Sequence, residues 1–113
     1  MRGYEALLTG IDQGVVDYDN RSRDREIERD AALAHNALGG IAFAANDFAA
    51  AEAAYCTARD LGLAAPEPDH AMIVNDAASC GVVKYYLERP DTQAAMRLAS
   101  DHAFAHLPPD HPK

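Results

Sequence analysis

Residues 38–61 read LGGIAFAANDFAAAEAAYCTARDL, and this stretch decides the fold. It contains two alanine-rich segments separated by Asn46-Asp47, a pair that favours the end of one helix and the N-cap of the next. Alanine has the highest helix propensity and is depleted in strands. The stretch therefore predicts one helix that ends near Ala45 and a second over 48–61, with Gly62 as its C-cap glycine.

The rest of the chain continues the helical pattern. The run RSRDREIERD at 21–30 alternates in charge and predicts a solvated first half of the second helix. Turn-favouring residues at 17–20 predict a break before it. The run GVVKYYL at 81–87 has strand-forming residues, but the chain offers no partner strand, so we expect a helix there as well. Apolar residues recur at helical spacing over five ranges: 3–18, 21–45, 48–61, 69–88 and 92–106.

The composition limits the possible partners. The chain has 113 residues, enough for one domain, and 24 of them are alanine. Its net charge is -8, so it repels phosphate backbones and anionic membranes, which argues against nucleic acid or a membrane as partner. The sequence therefore predicts an all-α single domain whose partner, where it has one, is a basic protein or peptide.

The cysteines and the N-terminal residues bear on location. Cys56 and Cys80 have no CxxC spacing and lie in apolar helical stretches, where a free cysteine is usually a small core residue. Residues 1–13 lack the apolar run of a signal peptide, and no stretch is long and apolar enough to span a bilayer. These features predict a cytoplasmic protein with reduced thiols and no cofactor.

The central stretch resembles the tetratricopeptide repeat, a helix–turn–helix unit of about 34 residues. Leu38-Gly39 matches the Leu-Gly pair of the family's first helix, and Asn46-Asp47-Phe48 matches its turn and the following aromatic residue. Ala51, Tyr55 and Ala58 match the small, aromatic and small positions of the second helix. We expect Gly39 and Ala51 to let the two helices approach closely, and Tyr55 to fill the gap toward the next repeat.

The resemblance implies about five helices in antiparallel hairpins, stacked with a right-handed twist. Within a single domain over 1–107 it implies an N-terminal capping helix at 1–20, the best repeat at 21–65 and a degenerate repeat at 66–107, where DTQAA at 91–95 is similar to DFAAA at 47–51. Residues 108–113 form a proline-rich tail. Such a stack is short, so pairing with a second copy or a place at the end of a larger assembly is also expected.

The resemblance also implies a function, because the first helices of tetratricopeptide repeats line a concave groove that holds peptides. The chain is then a non-enzymatic protein- or peptide-binding module with an acidic rim. Lys and Arg at groove positions, which would clamp a carboxylate, are absent. Phe43 has a second interpretation, packing against the N-terminal helix. The groove residues implied are Leu33, Asn36, Gly40, Phe43 and Ala44.

Three alternatives remain open. A small acidic immunity or antitoxin-type protein that blocks a basic toxin would share the charge and need no groove. His102 and His106 have i, i+4 spacing that can bind a metal with a third histidine, His35 or His70, in a pattern similar to the DinB family. Arg29 and His35 resemble the Arg–His motif of HEPN ribonucleases. We prefer the interpretation of the terminal histidines as complements of the helix dipole, and predict no enzyme and no metal.

Overall fold

The computed structural model describes residues 13–108, and within that range the chain is entirely helical. The predicted all-α class is therefore confirmed. None of the four helices is long and apolar enough to cross a membrane. The helices are α1 (Gln13–Ala44), α2 (Phe48–Ala64), α3 (His70–Tyr86) and α4 (Thr92–His106).

The predicted break at 17–20 is wrong, because α1 runs through it without interruption. The range contains neither Gly nor Pro, and each of its residues costs less than about 0.7 kcal/mol of helix propensity relative to Ala. That cost does not end a hydrogen-bonded ladder that continues on both sides. Consequently the described part has four helices rather than about five. Residues 3–12 of the predicted first helix, and 109–113 of the tail, lie outside the described residues.

Local capping chemistry explains the turns. Asn46 adopts a left-handed conformation with φ of 62°, and the Asp47 carboxylate accepts a hydrogen bond from the Ala50 N–H at 3.2 Å. Asp69 caps α3 in the same way, and Asp91 occupies the N-cap position of α4. The predicted breaks at Asn46-Asp47 and before Thr92 are confirmed. Such breaks can be predicted because they depend on residues only a few positions apart.

The role predicted for Gly62 is wrong. This glycine lies inside α2, which continues to Ala64, and it is buried. A Cβ added there would come within 2.8 Å of Ile73 Cγ1 on α3. Gly62 is thus a packing residue that lets α2 and α3 approach each other, and the helix ends two residues later, before Pro66.

Each helix packs mainly against the next one along the chain, so that α1–α2, α2–α3 and α3–α4 are the extensive contacts. A Cβ at Gly39 would lie 2.8 Å from a ring carbon of Tyr55, which confirms the close approach of α1 and α2. Tyr55 therefore fills space within its own hairpin, against the expectation that it faces the next repeat. Small residues dominate the buried set: Ala32, Ala51, Ala54, Ala58, Ile73, Ala77, Cys80, Val83, Ala95 and Ala99.

The cysteines are not free, and the prediction of reduced thiols is wrong. Cys56 on α2 and Cys80 on α3 form a disulfide, with their Cα atoms 4.9 Å apart. The two residues are 24 positions apart and meet only because α2 and α3 pack side by side. Their spacing in the sequence carried no sign of this contact. The bond ties the two central helices together covalently.

Candidate functional site

Two of the five predicted groove residues are engaged in contacts within the chain. Asn36 Nδ2 on α1 donates a hydrogen bond to Asp76 Oδ1 on α3 at 2.5 Å. The Phe43 ring packs against Phe48 and Tyr86, with ring centroids 5.4 and 5.7 Å apart. The amide and the ring that were predicted to hold a ligand therefore hold the helices together. The alternative interpretation of Phe43, packing against the N-terminal helix, stays a prediction, because most of that helix lies outside the described residues.

The other three predicted residues have no polar side chain to offer a ligand on the predicted groove face of α1. Leu33 and Ala44 are exposed, whereas Gly40 is half-buried close to the Tyr55 hydroxyl. The partner-binding role of this face of α1 stays a prediction.

A different apolar surface lies on the opposite side of α1. Leu38 and Ile41 are 55% and 67% exposed, and they border an open groove of about 600 Å³ between α1 and α2. At 100° per residue these positions point away from Asn36 and Phe43. Alanine and threonine side chains form most of the rest of this outer groove: Ala42, Ala45, Ala50, Ala53, Ala54 and Thr57.

The sequence contains a sign of the outer groove. Leu38, Ile41, Ala42 and Ala45 follow i, i+3, i+4, i+7 spacing, which is typical of a helix face buried in the core. In the structure no described helix covers this row, and its two large residues face solvent. Periodicity shows which residues share a face, but it does not show whether anything packs on that face.

A charged network closes the turn between α3 and α4. Glu52 on α2 lies 3.0 Å from Lys84 Nζ and 3.0 Å from Arg89 Nη2, and Lys84 also lies 3.0 Å from Asp91. Burial acts to raise the pKa of Glu52, but the hydrogen bonds from Arg89 and Lys84 outweigh it and hold this pKa below its ordinary value. Each charge faces an opposite one, so the network is structural rather than poised for acid–base chemistry.

Asp76 is the buried acid of the protein core. Its side chain is fully buried, and Oδ2 has no hydrogen-bond partner among the described residues. Burial raises the pKa of Asp76, and the hydrogen bond from Asn36 offsets only part of this effect. Asp76 therefore carries a desolvation cost that its single partner does not remove.

The structure places Arg29 and His35, the ribonuclease-like candidates, apart from each other, and it brings three other histidines together. Arg29 lies 3.9 Å from Asp69, whereas His35 lines the outer groove, so the ribonuclease-like pair is not assembled. The two residues lie six positions apart on one helix and point to different sides of it. His102 and His106 of α4 do meet a third histidine, and it is His70 of α3.

Comparison with known proteins adds nothing to these geometric observations. No protein-family model matches the chain, and searches of curated proteins and of solved structures find no match. The resemblance to tetratricopeptide repeats therefore depends on the residues quoted above. Any function has to be argued from the side chains of the described residues and their positions.

Proposed function

We propose that the protein is a non-enzymatic helical module that binds a partner protein, and that the outer groove between α1 and α2 holds an amphipathic helix of that partner. The observation that carries the proposal is the exposure of Leu38 and Ile41 beside a groove of short side chains. Exposed apolar surface bordered by polar residues is typical of interaction sites. The tetratricopeptide-like right-handed stack is part of the same proposal.

The shape of the outer groove favours a helix as its occupant. Each of the described helices buries a face against a neighbouring helix, and among the described residues no further helix packs extensively on the far side of the α1–α2 pair. Alanine residues at its floor, Ala42, Ala45, Ala53 and Ala54, let another helix backbone come within the usual 8–10 Å. An apolar stripe on that helix would cover Leu38 and Ile41.

Charge selects the kind of partner. The net charge of -8 disfavours a second copy of this chain, since two copies would repel each other. Asp47 lines the groove, so a helix with lysine or arginine flanking its apolar stripe complements both the rim and the whole molecule. A toxin-blocking role would use the same acidity, and no described contact favours it over general partner binding.

The cytoplasmic location stays a prediction, and the sequence and the disulfide point to different compartments. The sequence pattern favours the cytoplasm, where thiols stay reduced. The Cys56–Cys80 disulfide favours an oxidising compartment instead. The enzymatic alternative through Arg29 and His35 has no support, because the two side chains lie on different sides of α1.

A designed helical peptide tests the proposal. The probe is a fluorescent 18-residue peptide with leucines at i, i+3, i+4, i+7 spacing and lysines beside them, and its binding is followed by anisotropy. Leu38→Glu and Ile41→Glu should each weaken binding at least about tenfold, because a buried leucine or isoleucine is worth roughly 1.5–3 kcal/mol.

The matched control is Phe104→Glu. Phe104 is an apolar residue that is 94% exposed, and it lies on α4 rather than on α1 or α2, which form the groove. This variant should bind the peptide like the wild type. A peptide with glutamates in place of the lysines should bind much more weakly. Equal binding of both peptides, or unchanged binding by Leu38→Glu, would contradict the proposal. A wild-type dimer that Leu38→Glu dissociates in sedimentation would assign the groove to a second copy instead.

A further inference from the structure

Three histidine side chains gather where α3 begins and α4 ends. His70 Nδ1 lies 2.9 Å from His102 Nε2, and the rings of His70 and His106 stack with centroids 4.0 Å apart. The rings of His102 and His106 are 4.3 Å apart. One nitrogen from each of the three rings lies within 4.8 Å of the other two.

The fold brings these residues together from 32 positions apart. The antiparallel packing of α3 and α4 places the first residue of α3 beside the last turn of α4. His102 and His106 are four residues apart and so lie on the same face of α4. Gly81 holds the two helices close, because a Cβ there would come within 2.8 Å of Met96 Cγ. The three rings thus lie on two closely packed helices.

The helix dipole explains only part of this arrangement. His106 is in the last turn of α4, where a positive charge is favourable. His70 is the first residue of α3, where the dipole opposes a positive charge, and His102 lies a full turn inside α4. The close contact of three imidazoles, which would repel one another when charged, needs a different explanation.

We propose that His70, His102 and His106 bind one divalent transition-metal ion of the zinc, nickel or copper class. Imidazole nitrogens suit these ions, whereas magnesium and calcium require oxygen ligands. In a tetrahedral site with metal–nitrogen bonds of 2.0–2.1 Å, ligand nitrogens lie about 3.3 Å apart. The observed nitrogen separations, from 2.9 Å to within 4.8 Å, reach this value through small side-chain movements.

Two further features suit a metal site. His106 is exposed and the other two rings are partly exposed, so an ion can enter from solvent. Three protein ligands leave at least one coordination position for water or for a group supplied by another molecule.

Calorimetric titration of the full chain with zinc chloride tests the site, and the protein must carry no polyhistidine tag. We expect one ion per chain, and no binding of magnesium. His102→Ala and His70→Ala should each weaken zinc binding at least about a hundredfold, because each variant keeps only two of the three imidazole ligands. Cobalt in place of zinc should give the intense visible absorption of a tetrahedral complex.

His35→Ala is the matched control, because His35 is a half-buried histidine in the outer groove. It should bind zinc like the wild type. His106→Ala adds a variant whose exposed side chain is not needed for folding, and circular dichroism verifies the helix content of each variant. Absence of zinc binding by the wild type, equal loss in His35→Ala, or unchanged affinity in both His102→Ala and His106→Ala would overturn the proposal. None of these results depends on the outer groove.

Discussion

The two ends of the α3–α4 hairpin treat polar side chains in opposite ways. At the turn end, Glu52, Lys84, Arg89 and Asp91 form a network in which each charge lies close to an opposite one. At the open end, the histidines His70, His102 and His106 contact one another and gather three groups of the same kind.

The difference shows which of the two polar clusters balances its own charges and polar groups. Opposite charges satisfy one another and need no further component, so the turn end is explained by stability alone. The three imidazoles are groups of one kind, so a charged ring repels its neighbours. Among the described residues, one pair of nitrogens in this cluster is hydrogen-bonded, His70 Nδ1 with His102 Nε2. The open end therefore has capacity for an additional cation, and the turn end has none.

Breaking the disulfide that joins α2 to the middle of α3, between the two ends, should have the largest effect. Reduction of the Cys56–Cys80 disulfide, which closes a loop with a sequence separation of 24, should lower the free energy of unfolding by roughly 3 kcal/mol. Urea denaturation of oxidised protein and of protein reduced with a phosphine, which competes little for zinc, measures the difference. Zinc binding should survive reduction, since the histidines lie on α3 and α4 and the bond joins α2 to α3.

Cys56→Ala is the control for this experiment. It leaves Cys80 as a buried thiol, so its stability should match that of the reduced wild type and should not respond to reductant. An unchanged urea midpoint on reduction would show that the disulfide does not stabilise the fold. Release of zinc on reduction would show that the open end depends on α2.

Removing the central acid of the turn end should have the next largest effect. Glu52 is only 16% exposed, and its partner Lys84 is only 12% exposed. Glu52→Gln keeps the shape but removes the charge, and should lower the free energy of unfolding by about 2 kcal/mol at pH 7. Because the pKa of Glu52 is lowered, its contribution is present above the ordinary value of 4.5 and is lost as pH falls through the lowered pKa.

Urea denaturation at several pH values verifies this. The difference between wild type and Glu52→Gln should be full at neutral pH and should shrink on acidification. Glu88→Gln changes an exposed acid and should stay within about 0.5 kcal/mol of the wild type. A difference that persists in acid, or a change in zinc affinity, would contradict the independence of the two ends.

The sequence predicted features that depend on nearby residues. The turn at Asn46-Asp47 could be predicted because the Asp47 carboxylate and the Ala50 N–H that it accepts from lie within three residues of each other. The i, i+4 spacing of His102 and His106 was visible for the same reason. The continuity of α1 through 17–20 does not follow from such local signals, since weak preferences for a turn do not interrupt a helical ladder that continues on both sides.

Contacts between distant residues could not be predicted. His35 and His70 were equal candidates for the third ligand, and only the antiparallel packing of α3 and α4 selects His70. Likewise, nothing in the local pattern showed that Asn36 would donate its amide to Asp76 instead of to a ligand. Helix faces follow from periodicity, but the choice of which faces meet depends on packing across the whole chain.

The smallest expected effect concerns Asp76, a buried acid in the same half of the hairpin as the histidines. In contrast to Glu52, it has one amide partner, and its other oxygen has no partner among the described residues. Asp76→Asn keeps an acceptor for Asn36 and removes the buried charge, so it should raise the free energy of unfolding at pH 7 by about 1 kcal/mol. Urea denaturation of both proteins at pH 7 and near pH 3.5 measures the change.

The dependence on pH has the opposite sign to that of Glu52. The pKa of Asp76 is raised, so its favourable contribution is complete below the ordinary value of 3.8 and is lost as pH rises through the raised pKa. The gain from Asp76→Asn should therefore be seen at pH 7 and should disappear in acid, while Asp101→Asn, at an exposed position, changes little at either pH. If Asp76→Asn instead destabilises the protein at pH 7, the buried carboxylate has a partner such as a bound cation. Its charge is then balanced by an opposite charge, as the charges at the turn end are.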